Sequence, residues 1–169
     1  MIDFTNVTEL YVAGKEVKEL HINGAKVWEK GSSTPMPLTF TAEEANSTVA
    51  MQAVGSAPSV SLEYSTDDGT TWSDLIVGTT TVTLANVGDK MFLRAKTTNN
   101  GFASSSSNYN KFVMTGKIAA SDSIMYLLKS DGDLDTIPST YCFCYLFHTC
   151  TALTTAPELP ATTMANYCY

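Results

Sequence analysis

Four cysteines and a histidine crowd the C-terminal end of the chain: Cys142, Cys144, His148, Cys150 and Cys168. Thiolate and imidazole are zinc ligands, and a Cys beside a His can be a nucleophile with its base. The spacing argues against both. Zinc sites join one CxxC pair to a second, or to histidines at set intervals, whereas the closest pair here is Cys142-Phe143-Cys144 with one histidine nearby. Cys144 and His148, four apart, would share one face of a helix. Their neighbours Phe143, Tyr145, Leu146 and Phe147 read as packing residues instead, and no third group orients the imidazole. The thiols are therefore expected to behave as small buried hydrophobes. Two acidic clusters remain, Asp67-Asp68 and the alternating Asp131, Asp133 and Asp135 of SDGDLD. The latter lacks the length and closing Glu of an EF-hand loop, so only a weak cation site is conceivable there. Phosphate loops, HExxH and paired catalytic carboxylates are missing from the sequence. The expectation is a non-enzymatic protein with no catalytic residue, no cofactor and no resident metal.

Ser65 to Trp72, STDDGTTW, fits the pattern S-x-D-x-G-x-T-W. It resembles the Asp box of sialidase propeller blades, a motif that sits away from catalysis there and also occurs singly in other β-domains. Its chemistry is local: Asp67 can accept from loop amides, Gly69 can take the left-handed backbone, and Trp72 can cover the hairpin. A structural role is expected.

The surrounding composition is that of a β-rich chain. Of 169 residues, 44% are apolar and only 16% charged, with Ser and Thr filling the difference; β-branched Thr and Val suit a pleated surface. The net charge of −7, with Arg94 the single arginine, excludes the clustered Lys and Arg that neutralise phosphates or anionic lipid. No nucleic-acid partner is expected. Nor is membrane insertion, since no apolar run approaches the roughly 18 residues of a span. The opening MIDFTNVTEL lacks the basic-then-apolar order of a secretory signal. If Met1 is the natural start, synthesis without export by that route is expected.

Three textures divide the chain. Residues 1–30 contain one unit twice, VTELYVAGKEV and VKELHINGAKV. In V-x-E-L-x-[VI]-x-G, Leu10 and Val12, then Leu20 and Ile22, fall on one side of an alternating strand, with Glu9, Tyr11, Glu19 and a solvated His21 opposite. Gly14 and Asn23-Gly24 mark reversals, and Val27-Trp28 begin a last strand. A small three-strand meander is predicted, its apolar face needing a partner. Residues 31–37, GSSTPMP, read as a linker. Residues 38–116 read as strands LTFTA, TVAMQAV, SVSLEYS, TTWSDL, TTTVTLA, KMFLRAK and KFVMTG. At spacings of roughly 8–12 residues these predict an immunoglobulin-like β-sandwich.

Residues 117–169 change again, and STYCF (139–143) recurs as ANYCY (165–169), which sets Cys142 and Cys168 26 positions apart. That period lies in the leucine-rich-repeat range. The segment resembles the BspA-type leucine-rich repeat of surface proteins from gut Bacteroidetes and of their phages, through Leu146, Phe147, Cys150, Thr151, Leu153, Ala156, Pro157, Leu159 and Pro160. The resemblance covers about the last 30 residues, and the sandwich looks like the domain that often precedes such repeats. It implies a solenoid in which Cys150 and Leu153 are ladder residues, and Cys142 and Cys168 equivalent positions in adjacent turns. The final unit stops at Tyr169 without a polar cap, so a longer natural protein, or a cut one, is expected. LPATT (159–163) differs from the sortase signal LPxTG at Thr163 and lacks an apolar tail. In the repeat reading it closes the rung.

The expected fold is thus mainly β: an N-terminal meander, a sandwich, and the start of a solenoid. The order of anchor, spacer and reader implies a structural and adhesion protein. The leading expectation is a head or tail fibre on a phage virion surface, held to other virion structural proteins by residues 1–30. Its distal repeats would contact a host surface protein or glycan. A homo-oligomer is expected, with a trimer among the candidates. The alternative is a BspA-like adhesin on a bacterial cell surface. A module of a carbohydrate-active enzyme ranks last.

Overall fold

A computed structural model describes residues 36–169 throughout and, before them, the backbone of four short strands. The chain divides into two compact units, Met1–Pro35 and Met36–Tyr169.

In the first unit, β1 (Tyr11–Val12) pairs antiparallel with β2 (Lys15–Glu16), and β3 (Glu19–Ile22) with β4 (Ala25–Glu29), as two separate two-stranded sheets. This corrects the expected three-strand meander. Each copy of the repeated unit carries its own reversal between two strand-forming ends, so two copies give two hairpins. Leu10 and positions 31–35 of the linker lie outside the described residues, as do the side chains of Val12, Leu20 and Ile22 on which the expected apolar face rests.

The second unit contains β5 (Leu38–Ala42), β6 (Ser47–Val54), β7 (Leu62–Ser65), β8 (Ser73–Leu75), β9 (Thr81–Leu84), β10 (Lys90–Ala95), β11 (Ala103–Ser105), β12 (Asn108–Thr115), β13 (Ile118–Ser121) and β14 (Leu153–Thr155). They form a six-stranded sheet in the order β14-β13-β5-β10-β7-β8 and a four-stranded sheet in the order β11-β12-β6-β9. Neither is closed. Every neighbouring pair is antiparallel except β13 and β14.

Alternation builds the interface between the sheets. Along β6, Ser47, Val49 and Met51 are buried, and along β9, Val82 and Leu84 are buried between exposed threonines. Val49, Met51, Val82 and Leu84 join Leu38, Phe40, Met91 and Leu93 of the other sheet in one continuous core. Phe40 and Phe112 join the layers directly, edge to face with centroids 5.1 Å apart, a favoured aromatic geometry.

On β5 the alternation fails: Leu38, Thr39 and Phe40 are all buried. The cause is a third element. A 3-10 turn, Ile124–Leu127, packs on β5 and β10, so this part of the six-stranded sheet is covered on both faces. Ser123 opens that turn, its Oγ accepting from the Met125 amide at 3.2 Å. The stretch beyond residue 116 therefore contributes β13, β14 and this cover to the same compact unit as the strands before it.

Phe40→Ala should destabilise this unit by about 3–5 kcal/mol, the usual cost of emptying an aromatic core site. Urea titration checks it: the midpoint should fall while the slope stays unchanged.

Candidate functional site

The Asp-box loop connects β7 to β8 and is wired as a small closed circuit. Ser65 Oγ donates to Asp67 Oδ1 at 2.7 Å and accepts from the amide of Gly69 at 2.9 Å. Asp67 Oδ1 also accepts from the Thr71 amide at 2.8 Å, and Oδ2 from the Thr71 hydroxyl at 2.6 Å. Asp68 and Gly69 hold φ of +55° and +80°, the left-handed pair such a turn requires. Trp72 Nε1 donates back to the Gly69 carbonyl at 3.0 Å. The ring then carries the guanidinium of Arg94, 3.7 Å from its centroid, a cation–π contact, while Arg94 Nε donates to Glu63 Oε1 at 2.7 Å. The Thr71 hydroxyl and amide, with the Ser65 hydroxyl, hold the Asp67 carboxyl down at about 2. Such a carboxylate is fully engaged as an acceptor and is not poised to transfer a proton near neutrality.

The C-terminal stretch is built from backbone that stacks pass upon pass. Phe102 N donates to the Cys142 carbonyl at 2.6 Å, and Phe143 N to the Cys168 carbonyl at 2.8 Å. The side chains follow the same ladder. Phe102 stacks on Phe143 (5.9 Å), and Phe143 on Tyr169 (5.8 Å). Tyr141 lies flat on Tyr167 at 4.9 Å and 10°. Tyr141/Tyr167, Cys142/Cys168 and Phe143/Tyr169 each differ by 26 positions, the spacing of the STYCF and ANYCY fragments. Gly101 permits the first contact. Its φ is +148°, and a Cβ there would lie 2.8 Å from Ser139 Oγ and 3.2 Å from Cys142 Cα.

Tyr141, Tyr145 and Tyr167 share a further property. Each is in the left-handed region, at φ of +61°, +59° and +55°, where bulky residues are uncommon. Tyr145 and Tyr167 are 41% and 68% exposed, so the ladder carries tyrosines on its outer surface. Tyr109 and His148 join Tyr145 in a cluster with ring centroids 5.0–6.2 Å apart. This tyrosine-lined surface is not evident from periodicity. Its traces in the sequence are the recurrence of Tyr141 as Tyr167 in STYCF and ANYCY and the four-residue step from Tyr141 to Tyr145.

The candidate reactive groups fall elsewhere. Residues 140–149 form successive turns rather than a helix. Cys144 is buried, and that burial pushes its thiol up. His148 is exposed beside the tyrosines. Burial likewise pushes the Cys142 thiol up to about 12, the reverse of what a nucleophile needs. Cys150 Sγ donates to the Phe112 carbonyl at 3.2 Å. In SDGDLD, the exposed Asp131 bonds within its own loop, accepting from the Asp133 amide (3.0 Å) and pairing with Lys129 (2.9 Å). Among the described residues, no group of three or more His, Cys, Asp or Glu side chains is placed to hold a metal ion.

The Asp-box circuit gives a signed prediction. Because the folded Asp67 carboxyl titrates below its ordinary value of 3.8, its stabilisation is fully present above that value and is lost as pH falls through about 2. Asp67→Ala should lower the melting temperature at pH 7, and the gap to the parent should narrow toward pH 2. A gap independent of pH would show that the charged form of Asp67 has no special part in the loop.

No protein-family model, no curated protein and no solved structure matches the chain.

Proposed function

We propose that this chain is a non-enzymatic structural and adhesion protein, a head or tail fibre component of a phage virion. The first thirty residues attach it to other virion proteins, and the C-terminal passes belong to a BspA-type repeat array that faces the host. The observation that supports this is the ladder itself. A 26-residue offset relates the buried Cys142 and Cys168 and the stacked rings of Tyr141/Tyr167 and Phe143/Tyr169, with backbone bonds running between the same two segments, as expected when repeats bury a shared core by stacking. Its outward tyrosines combine a flat apolar ring with a hydroxyl, the composition of contact surfaces that bind at small entropic cost.

In the same reading the two sheets are an immunoglobulin-like spacer with exchanged outer strands. Taking β5, β6, β7, β9, β10 and β12 as A, B, C, E, F and G, the pairs β6–β9 and β7–β10 match the ABED and CFG sheets. β5, however, lies beside β10, and β12 beside β6, where that arrangement sets A beside B and G beside F. The exchange leaves the far edge of β5 open to β13, so spacer and repeat share one sheet.

Mass spectrometry of purified phage particles and of host outer-membrane fractions tests the proposal. Peptides of this chain should appear in virions at a stoichiometry typical of a structural protein. Recovery solely from membranes, with a cleaved leader, would replace the fibre by a bacterial surface adhesin.

A further inference from the structure

Between β6 and β7 the chain crosses from the four-stranded sheet to the six-stranded one through Gly55–Ser61. This crossing borders a cleft of about 500 Å³, within the roughly 300–1,000 Å³ range of small-molecule sites. The Asp-box loop and the C-terminal ladder contribute nothing to its lining. Leu62 and Leu75, 2% and 3% exposed, give it an apolar base, and Ser61, Asp74 and Lys96 add polar groups.

Its most informative residue is Asn110, which lines the cleft while only 1% exposed. The side-chain Nδ2 donates to the carbonyls of Pro58 (2.8 Å) and Phe102 (3.2 Å). Both partners can only accept, so the orientation of the amide is fixed. Oδ1 is left with no donor among the described residues. Asn110 thus brings to the cleft lining an amide whose Oδ1 is not used by the bonds that fix its Nδ2. Nearer the mouth stands the opposite kind of group, Lys96 Nζ, bonded to Asp74 Oδ1 at 2.6 Å, with side chains 48% and 57% exposed.

Lys96 and Asp74 offset one another as an ion pair, so the cleft offers donors and acceptors without a net charge that favours an anion or a cation. A hydroxyl both donates and accepts without charge, so a ligand bearing several can donate to Asn110 Oδ1 and Asp74 while accepting from Lys96 and Ser61. The apolar base suits the carbon face of a pyranose ring. We propose that this cleft is a binding site for a neutral saccharide residue, separate from the tyrosine-bearing surface and independent of whether the chain is a fibre component.

The test is titration of the 15N-labelled full chain with free glucose, galactose and N-acetylglucosamine into the tens of millimolar, with glycine as the zwitterionic control. At least one sugar should shift amides at Ser59–Leu62, Asp74–Val77 and Lys96, saturably, while glycine leaves them in place. Asp74→Asn and Lys96→Met, both at partly exposed positions, should each weaken that sugar at least tenfold without altering the rest of the spectrum. Ala57→Trp, which fills the cleft and leaves its polar groups intact, should abolish it. The proposal is overturned if no sugar shifts these amides, if glycine does so as well, if the shifts centre on Tyr145 and Tyr167, or if the variants bind like the parent. Saccharide binding by a chain that is absent from virions would sink the fibre reading alone.

Discussion

Strand β5 is hydrogen-bonded along both edges. Phe40 pairs with Met91 of β10 on one side and with Ala120 of β13 on the other. Its side chain crosses to Phe112 in the opposite sheet, and the 3-10 turn closes its remaining face. A strand committed in four directions cannot shift register, because a slip of one residue would send Phe40 to the opposite face. That constraint fixes where β13 begins, and β13 in turn carries β14 in parallel through Ile118 and Leu153. The C-terminal passes are therefore aligned to the sandwich by a shared sheet rather than by a linker.

The two parts of the second unit achieve order by different physics. The Asp-box loop is self-sufficient: every bond in its circuit joins residues within four positions of each other. The ladder has almost no local support beyond single turns. Its defining bonds span 25 residues, from Phe143 to Cys168 and from Tyr141 to Asn166, and reach back 40 residues from Cys142 to Phe102. Local loops of the first kind can form early, whereas contacts of the second kind wait on chain closure.

That difference explains what was legible in the sequence. LTFTA matches β5 residue for residue, and STDDGTTW gave the loop with the roles of Asp67, Gly69 and Trp72, since both are written in local pattern. The 26-residue spacing was visible as STYCF and ANYCY. β13 was not visible as a strand of the sandwich: Ile118-Ala-Ala-Ser has weak strand propensity, and it forms because β5 offers it an edge. β11 and β14, three residues each, were equally hidden. SVSLEYS promised a strand from residue 59, yet β7 starts at Leu62, because the preceding residues cross between sheets and line the cleft. Asn110 reads as an ordinary polar strand residue, and nothing in the sequence marks its amide as buried.

The left-handed tyrosines follow from the ladder as well. A non-glycine residue held at positive φ costs on the order of 1–3 kcal/mol, and glycine at Tyr141, Tyr145 and Tyr167 would relieve it. Glycine would also remove the rings, of which Tyr141 and Tyr167 stack on one another and Tyr145 and Tyr167 face outward. At Tyr141 the backbone amide donates to the Asn166 carbonyl at 3.0 Å while the ring lies on Tyr167, so the pass that follows supports the strained residue twice. The stacked neighbour thus makes the conformation tolerable, and the conformation places the aromatic side chains at the surface. A surface so made depends on the stack and cannot be transplanted as a peptide.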